Sequence, residues 1–200
     1  MDCSRQPHDH NVRLLRNDTL GSGSYGVVCK AMLGQCLCAA KLLHPIFFQS
    51  NDPGIVTTRR RFEQECQFLN DMNHPHIVEY LGTSHDPDSG LLVLLMELMD
   101  ESLTHFLERS QQPLAFHIEV DLCHDIAQAL VYIHSKDIIH RDLSSNNVLL
   151  LAGRAKITDF GMSKLLEANR RMTPLTMCPG TLAYMPPEAI REPPVYSKKN

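Results

Sequence analysis

The sequence predicts an α+β protein whose first half is mostly β with one helix and whose second half opens as helix. Two periodicities carry this. Between Val12 and His44 short β-prone runs alternate with glycine punctuation, the signature of strands joined by tight turns. Farther on, Ile118, Leu122, Ile126, Leu130 and Ile133 recur at the spacing of one helix face. With 43% hydrophobic residues in a 200-residue chain there is apolar material for a packed core, which excludes a disordered chain.

In chain order, Val27-Val28-Cys29 and Leu37 to Leu43 read as strands, turned at Gly34-Gln35. Gln49 to Thr57, containing Asp52-Pro53-Gly54, reads as a polar loop. Phe62, Cys66 and Leu69 then mark a helix, and the basic run Arg59 to Arg61 reads as its solvated start. Asn73-His74-Pro75 ends it, since proline cannot continue a helix and constrains the residue before it. Ile77 to Leu81 and Leu91 to Leu98 read as further strands, joined by the turn-rich stretch Ser84 to Gly90. The long amphipathic helix ends near His134, and Val148 to Leu151 turns at Gly153 into Ala155-Lys156-Ile157. There is no internal repeat.

The net charge of −4 and pI near 6.2 exclude the basic field of a nucleic-acid binder. Met1 to His10 is polar and lacks the apolar core of a secretory signal. The longest apolar run, Leu91 to Met99, is interrupted by Glu97 and falls far short of the roughly 20 residues a membrane span needs. A soluble, intracellular and cytoplasmic protein is therefore expected. The seven cysteines include no CxxC pair, which argues against a disulfide framework and a structural zinc site. Cys36 and Cys38 share a strand face and read as small buried side chains.

Four motifs carry chemistry. In Leu20-Gly21-Ser22-Gly23-Ser24-Tyr25-Gly26-Val27-Val28 the glycines let backbone N–H groups approach phosphate oxygens, an approach that Cβ atoms obstruct. The same spacing opens Rossmann units, but there the third glycine leads into a helix, whereas here it leads into a β-prone run. Lys41, after Ala39-Ala40, either snorkels from its strand or pairs with a carboxylate. Glu65 supplies the candidate: between Phe62 and Leu69 it lies on the apolar edge of the first helix, where an unpaired carboxylate is costly. In His140-Arg141-Asp142-Leu143-Ser144-Ser145-Asn146-Asn147, Asp142 is placed to take or orient a hydroxyl proton, and Asn147 to offer an amide oxygen to magnesium. Asp159-Phe160-Gly161 follows twelve residues after Asn147 with a second metal-binding carboxylate. Either aspartate alone could be an ordinary loop residue; their order and spacing together argue for phosphoryl transfer.

From about Leu14 onward the chain resembles a eukaryotic protein kinase catalytic domain. The resemblance rests on Gly21, Gly23, Gly26, Lys41, Glu65, His140-Arg141-Asp142, Asn147, Asp159-Phe160-Gly161 and, altered from the usual Ala-Pro-Glu, Pro186-Pro187-Glu188. It implies a bilobal fold: an N-terminal tail over 1–12, an N-lobe and hinge over 13–99 with a five-stranded antiparallel sheet and one helix, and an incomplete, mainly helical C-lobe over 100–200. It implies ATP and Mg2+ as cofactors and a protein as substrate. Catalysis would fall to Asp142, Lys41, Glu65 and Asn147, with metal held by Asn147 and Asp159. ATP would meet Gly21, Ser22, Gly23, Ser24, Gly26, Val28, Ala39, Lys41, Leu149, the gatekeeper Met96 and the hinge from Glu97 to Met99. Leu69, Tyr80, His140 and Phe160 would stack as a spine.

The loop Ser144-Ser145-Asn146 carries neither the lysine common in serine/threonine kinases nor the arginine common in tyrosine kinases. Gly180 to Met185 resembles the serine/threonine pattern, with Thr181 placed to touch Asp142, and the chain has no tryptophan. A serine/threonine kinase of the tyrosine-kinase-like group is the expectation. A pseudokinase or nucleotide-binding scaffold, a tyrosine-specific kinase and, more remotely, a small-molecule phosphotransferase are the alternatives. Arg141 before Asp142 suggests control by a phosphate on Thr173 or Thr176. The family's helical lobe extends past the point where this chain ends, so the resemblance implies a chain cut short, with core surface open to association.

Overall fold

The computed structural model describes residues 12–23, 26–48, 52–86, 88–165 and 182–184. The chain divides into two compact units, Met1–Asn73 with Val78–Met99, and His74–Ile77 with Asp100–Asn200. In the first unit β1 (Val12–Ser22), β2 (Gly26–Leu33), β3 (Cys36–Leu43), β4 (Tyr80–His85) and β5 (Leu92–Met96) form one antiparallel sheet of order β1-β2-β3-β5-β4. The β2–β3 turn at Gly34 has φ 61°, which glycine adopts without steric cost. Val28 pairs with Lys41, Lys41 with Leu94, and Ala39 with Met96. Directly opposed residues share a sheet face, so these five side chains stand together. The alternate residues Cys29, Ala31, Cys38, Ala40, Leu42, Val93 and Leu95 form a buried apolar cluster.

The helix α1 (Pro53–Asn70) starts where the sequence suggests a loop. Asp52 is its N-cap, accepting from the Gly54 N–H at 2.8 Å, and Pro53 occupies the first helical position. Asp52-Pro53-Gly54 is thus a helix start, because the turn chemistry of Asp and Pro is also capping chemistry, and Arg59 to Arg61 sit in the helix body. Buried on α1 are Phe62, Glu65, Cys66 and Leu69.

The second unit contains β6 (Glu101–Ser102), α2 (Leu103–Arg109), α3 (Phe116–Ser135), β7 (Ile138–Ile139), β8 (Val148–Leu151), β9 (Arg154–Ile157) and β10 (Lys164–Leu165). They make a three-stranded sheet β6-β8-β9 and a β10-β7 pair. The predicted strand from Ile77 to Leu81 is corrected here. Ile77 forms an isolated parallel bridge to Ile157, the Ile157 N–H donates to His76 O at 2.9 Å, and β4 begins only at Tyr80. Backbone groups engaged by β9 are not available to extend β4.

On α3 the buried positions are Leu122, Asp125, Ala129 and Ile133, with Ile118, Ile126 and Leu130 half-buried. Phe116, Val120 and Val131 are exposed. Asp125, 1% exposed, was not singled out by periodicity. Its carboxylate accepts Arg154 Nε at 2.8 Å and the Ala155 N–H at 3.0 Å, and lies 3.5 Å from His76 Nε2. His76 Nδ1 donates to Ala155 O at 3.0 Å. Burial pushes the Asp125 carboxyl upward, but the Arg154 and Ala155 hydrogen bonds outweigh it and hold the group below its ordinary range.

Asp125→Ala would leave the Ala155 N–H and the Arg154 guanidinium without this acceptor, and a loss of about 2–3 kcal/mol in urea unfolding is expected. Because the folded-state pKa is depressed, the carboxylate adds stability above its unfolded pKa of about 3.9, and this is lost as pH falls through the folded-state value. Unfolding titrations carried from neutral pH into that acid range should show a shallower acid loss for Asp125→Ala than for wild type.

Candidate active site

In the first unit, β1 and β2 bring the glycine loop to one end of the sheet. A Cβ on Gly26 would lie 2.1 Å from Leu42 O, so this glycine is required by close packing of β2 on β3. At Gly21 and Gly23 a Cβ would meet nothing within 4 Å, so these two border open space. The Gly23 N–H donates to Gly26 O at 2.9 Å, and His44 Nε2 donates to Gly23 O at 3.1 Å. Ser22 ends β1 opposite Val27. Ser24 lies outside the described residues.

Lys41 Nζ reaches both carboxylate oxygens of Glu65, at 2.7 and 2.8 Å. Glu65 is 2% exposed and the Lys41 side chain 20% exposed, so the expected pair is formed with its acid almost fully desolvated. The neighbouring Cys66 thiol is pushed up to about 12 by burial and the Glu65 charge, which makes it an unreactive core residue. Ala39 and Met96 are buried and Val28 half-buried on the face that carries Lys41. Glu97 Oε1 accepts the Glu79 N–H at 2.7 Å and the Glu97 N–H donates to Glu79 O at 3.0 Å, so this side chain secures the chain leaving β5. Met99 ends the first unit.

The second unit assembles the remaining residues on a loop held by its own side chains. His140, 2% exposed, donates from Nε2 to Thr158 O at 2.9 Å and accepts the Asp142 N–H at Nδ1, 3.3 Å away. Those partners fix the neutral tautomer with hydrogen on Nε2. Its ring meets Phe160, which is fully buried, edge-on at 5.0 Å. Asn147 Nδ2 donates to Asp142 O at 2.8 Å and to Asp142 Oδ2 at 3.1 Å, and the Thr158 N–H donates to Asn147 O at 3.0 Å. The Asn147 side-chain amide thereby orients the candidate base, while its backbone carbonyl joins the loop to the residue before Asp159. Arg141 and Asp159 hold φ of 66° and 62°, a left-handed conformation that non-glycine residues adopt at a cost of about 1–3 kcal/mol. The Gly161 N–H donates to Asp159 Oδ1 at 3.4 Å. Leu149, half-buried on β8, pairs with Lys156 and Ser102.

With Nδ2 engaged, Asn147 retains Oδ1 for a cation, and Asp159 adds a carboxylate. Among the described residues no group of three or more His, Cys, Asp or Glu could hold a metal ion. A two-oxygen donor set suits Mg2+, which keeps several waters and is commonly completed by substrate phosphates. Ser144, singled out as a replacement for lysine, is 3% exposed and its Oγ has no hydrogen-bond partner among the described residues. Thr173, Thr176, Thr181 and Pro186-Pro187-Glu188 lie outside the described residues.

Residues 14–200 match the family described as protein kinase domain. The chain belongs to that family. Its relatives include the serine/threonine-protein kinase TNNI3K of Mus musculus, 30% identical over 92% of this chain and 22% of that protein. The serine/threonine-protein kinase BCK1/SLK1/SSP31 of Saccharomyces cerevisiae is 30% identical over 92% of this chain and 12% of its own length. A tyrosine-protein kinase receptor of Caenorhabditis elegans, svh-2, is 31% identical over 78% of this chain and 14% of that protein. This chain thus spans less than a quarter of each, and its relatives bridge serine/threonine and tyrosine types, as a tyrosine-kinase-like domain does. Kinase domains use ATP and a divalent metal, and act on proteins. No helix among the described residues is long and apolar enough to cross a membrane.

Sequence reasoning missed Thr104 and Tyr184, which contact Ser145, and Asp125 and His76, which contact β9. Their partners are distant in the chain, and no local pattern flags a buried polar residue whose acceptor or donor comes from another element.

Lys41→Met leaves Glu65 as a buried carboxylate without this cation, whereas Lys41→Met with Glu65→Met replaces the pair by apolar groups on the Phe62, Cys66 and Leu69 face. The single variant is expected to be less stable than the double variant by about 1–3 kcal/mol, and so to unfold at a lower urea concentration. Equilibrium unfolding of both checks this.

Proposed function

We propose that this chain is a protein kinase that transfers the γ-phosphate of ATP, with Mg2+, to serine or threonine hydroxyls of a protein substrate. The observation that carries the reading is the two-point contact of Lys41 Nζ with a 2%-exposed Glu65. A desolvated carboxylate holds the ammonium in one place, which is what orienting the α- and β-phosphates demands. Gly21 and Gly23 leave room for close approach to phosphate oxygens.

Asp142 is the base: its carboxylate takes the Asn147 amide and orients or receives the proton of the attacking hydroxyl. Asn147 Oδ1 and Asp159 would hold Mg2+, which when bound neutralises charge on the β- and γ-phosphates. Val28, Ala39, Leu149, Met96 and the segment from Glu97 to Met99 would enclose the adenine. Thr181 would support Asp142, and Thr173 or Thr176 would carry a regulatory phosphate. Serine/threonine specificity is favoured by relatives such as the serine/threonine-protein kinase TNNI3K.

A second reading, a nucleotide-binding scaffold, draws on Ser144: two residues past Asp142 there is no cation, and the hydroxyl is buried. Phosphotransfer to serine, threonine and tyrosine peptides, read by mass spectrometry beside nucleotide binding, decides. Transfer to serine and threonine peptides that drops about 10²–10⁴-fold in Asp142→Asn, with nucleotide binding kept, is the expected result. Nucleotide binding with no transfer by wild type would establish the scaffold.

A further inference from the structure

Of the two serines that stand where kinases commonly carry a lysine or arginine, Ser144 is inward and silent, and Ser145 is the connected one. Its Oγ lies 2.7 Å from Thr104 Oγ1 and 2.8 Å from Tyr184 OH. Ser145 O also accepts the Thr104 N–H at 3.1 Å. That N–H is one of the donors left over in the first turn of α2, so Ser145 is attached to the helix start at two points. The Asn147 N–H donates to Ser144 O at 3.0 Å, closing a turn in which Ser145 is a corner. Asn147 is in turn bonded to Asp142 through its side chain. A displacement of Ser145 therefore passes through one short turn to the base.

Tyr184 supplies the third hydroxyl. It is 54% exposed and belongs to the helical turn Leu182–Tyr184, nearly 40 residues along the chain from the loop. Each of the three hydroxyls can both donate and accept, so Tyr184, Ser145 and Thr104 form a continuous hydrogen-bonded chain in either direction. Hydrogen bonds in such a chain polarise one another.

We propose that Ser145 is a positioning residue. Its hydroxyl ties the segment 182–184 to the first turn of α2, and this three-hydroxyl chain fixes the turn that places Asp142 and Asn147 for the phosphoacceptor. The functional half of the proposal rests on the kinase reading; the bond itself does not.

The test uses the 200-residue chain and its Ser145→Ala, Tyr184→Phe, Ser145→Thr and Ser145→Ala/Tyr184→Phe variants. Hydrogen–deuterium exchange without nucleotide needs no turnover. Faster exchange at the Thr104 and Asn147 amides is expected in both single variants, with no further increase in the double variant and protection restored in Ser145→Thr. In phosphotransfer, each single variant should lose about three- to tenfold in kcat/KM for the peptide acceptor, the worth of one hydrogen bond, with KM for ATP unchanged. Unchanged exchange in both single variants, or effects that add in the double variant, overturns the hydroxyl chain. Altered exchange with an unchanged acceptor kcat/KM overturns the positioning role. A wild type that transfers no phosphate refutes the kinase reading and with it that role, while exchange still judges the bond.

Discussion

The carboxylate of Asp125 is the constraint from which the second unit is built. It is almost fully buried, so it must be matched by donors, and the donors come from other segments: the Arg154 guanidinium and Ala155 N–H of β9, with His76 beside them. Burial alone would favour the neutral acid; the hydrogen bonds reverse that and keep it charged. β9 is thereby pinned to α3. Since β8 and β9 form one hairpin, the residues flanking its two ends, Asn147 and Asp159, inherit their separation from a strand pair that a core carboxylate holds in place.

From that hairpin the loop between β7 and β8 is closed by side chains rather than by strands. The imidazole of His140 bridges Thr158 O and the Asp142 N–H, and the amide of Asn147 spans the carbonyl and carboxylate of Asp142. Arg141 and Asp159, each adjacent to residues in these bonds, adopt left-handed conformations that cost free energy. The strain sits where carboxylate direction matters most, which accords with a loop built for placement rather than for packing.

The first unit follows a different rule. Its sheet separates two jobs by alternation: one face closes the apolar cluster around Cys38 and Ala40, and the other presents Val28, Ala39, Lys41 and Met96. Lys41 belongs to the second face because strand side chains have a period of two, and Glu65 meets it because α1 turns its buried stripe the same way. A charged pair in that position is costly to desolvate and costly to break, so it specifies the approach of helix and strand more than it adds net stability.

Much of this was legible in the sequence because it is local. Glycine before a β-prone run, a carboxylate on an apolar helix edge, and an aspartate followed five residues later by an asparagine are patterns that backbone geometry turns into a loop, a pair and a candidate base–metal set. The sequence also marked β2, β3 and β5 and the long helix, since period-2 and period-3.6 burial are written residue by residue, whereas the five-stranded count came from the resemblance to the family. Only the tertiary structure decided that Asp52-Pro53-Gly54 caps a helix, that Ile77 bridges to Ile157 instead of extending a strand, and that Gly26 serves packing on Leu42. It alone decided that Ser144 is buried while Ser145 joins Thr104 to Tyr184, and that Asp125 belongs to the core. In each case the deciding partner lies far along the chain, and a polar group's role is set by which distant donor or acceptor reaches it, something no local periodicity encodes.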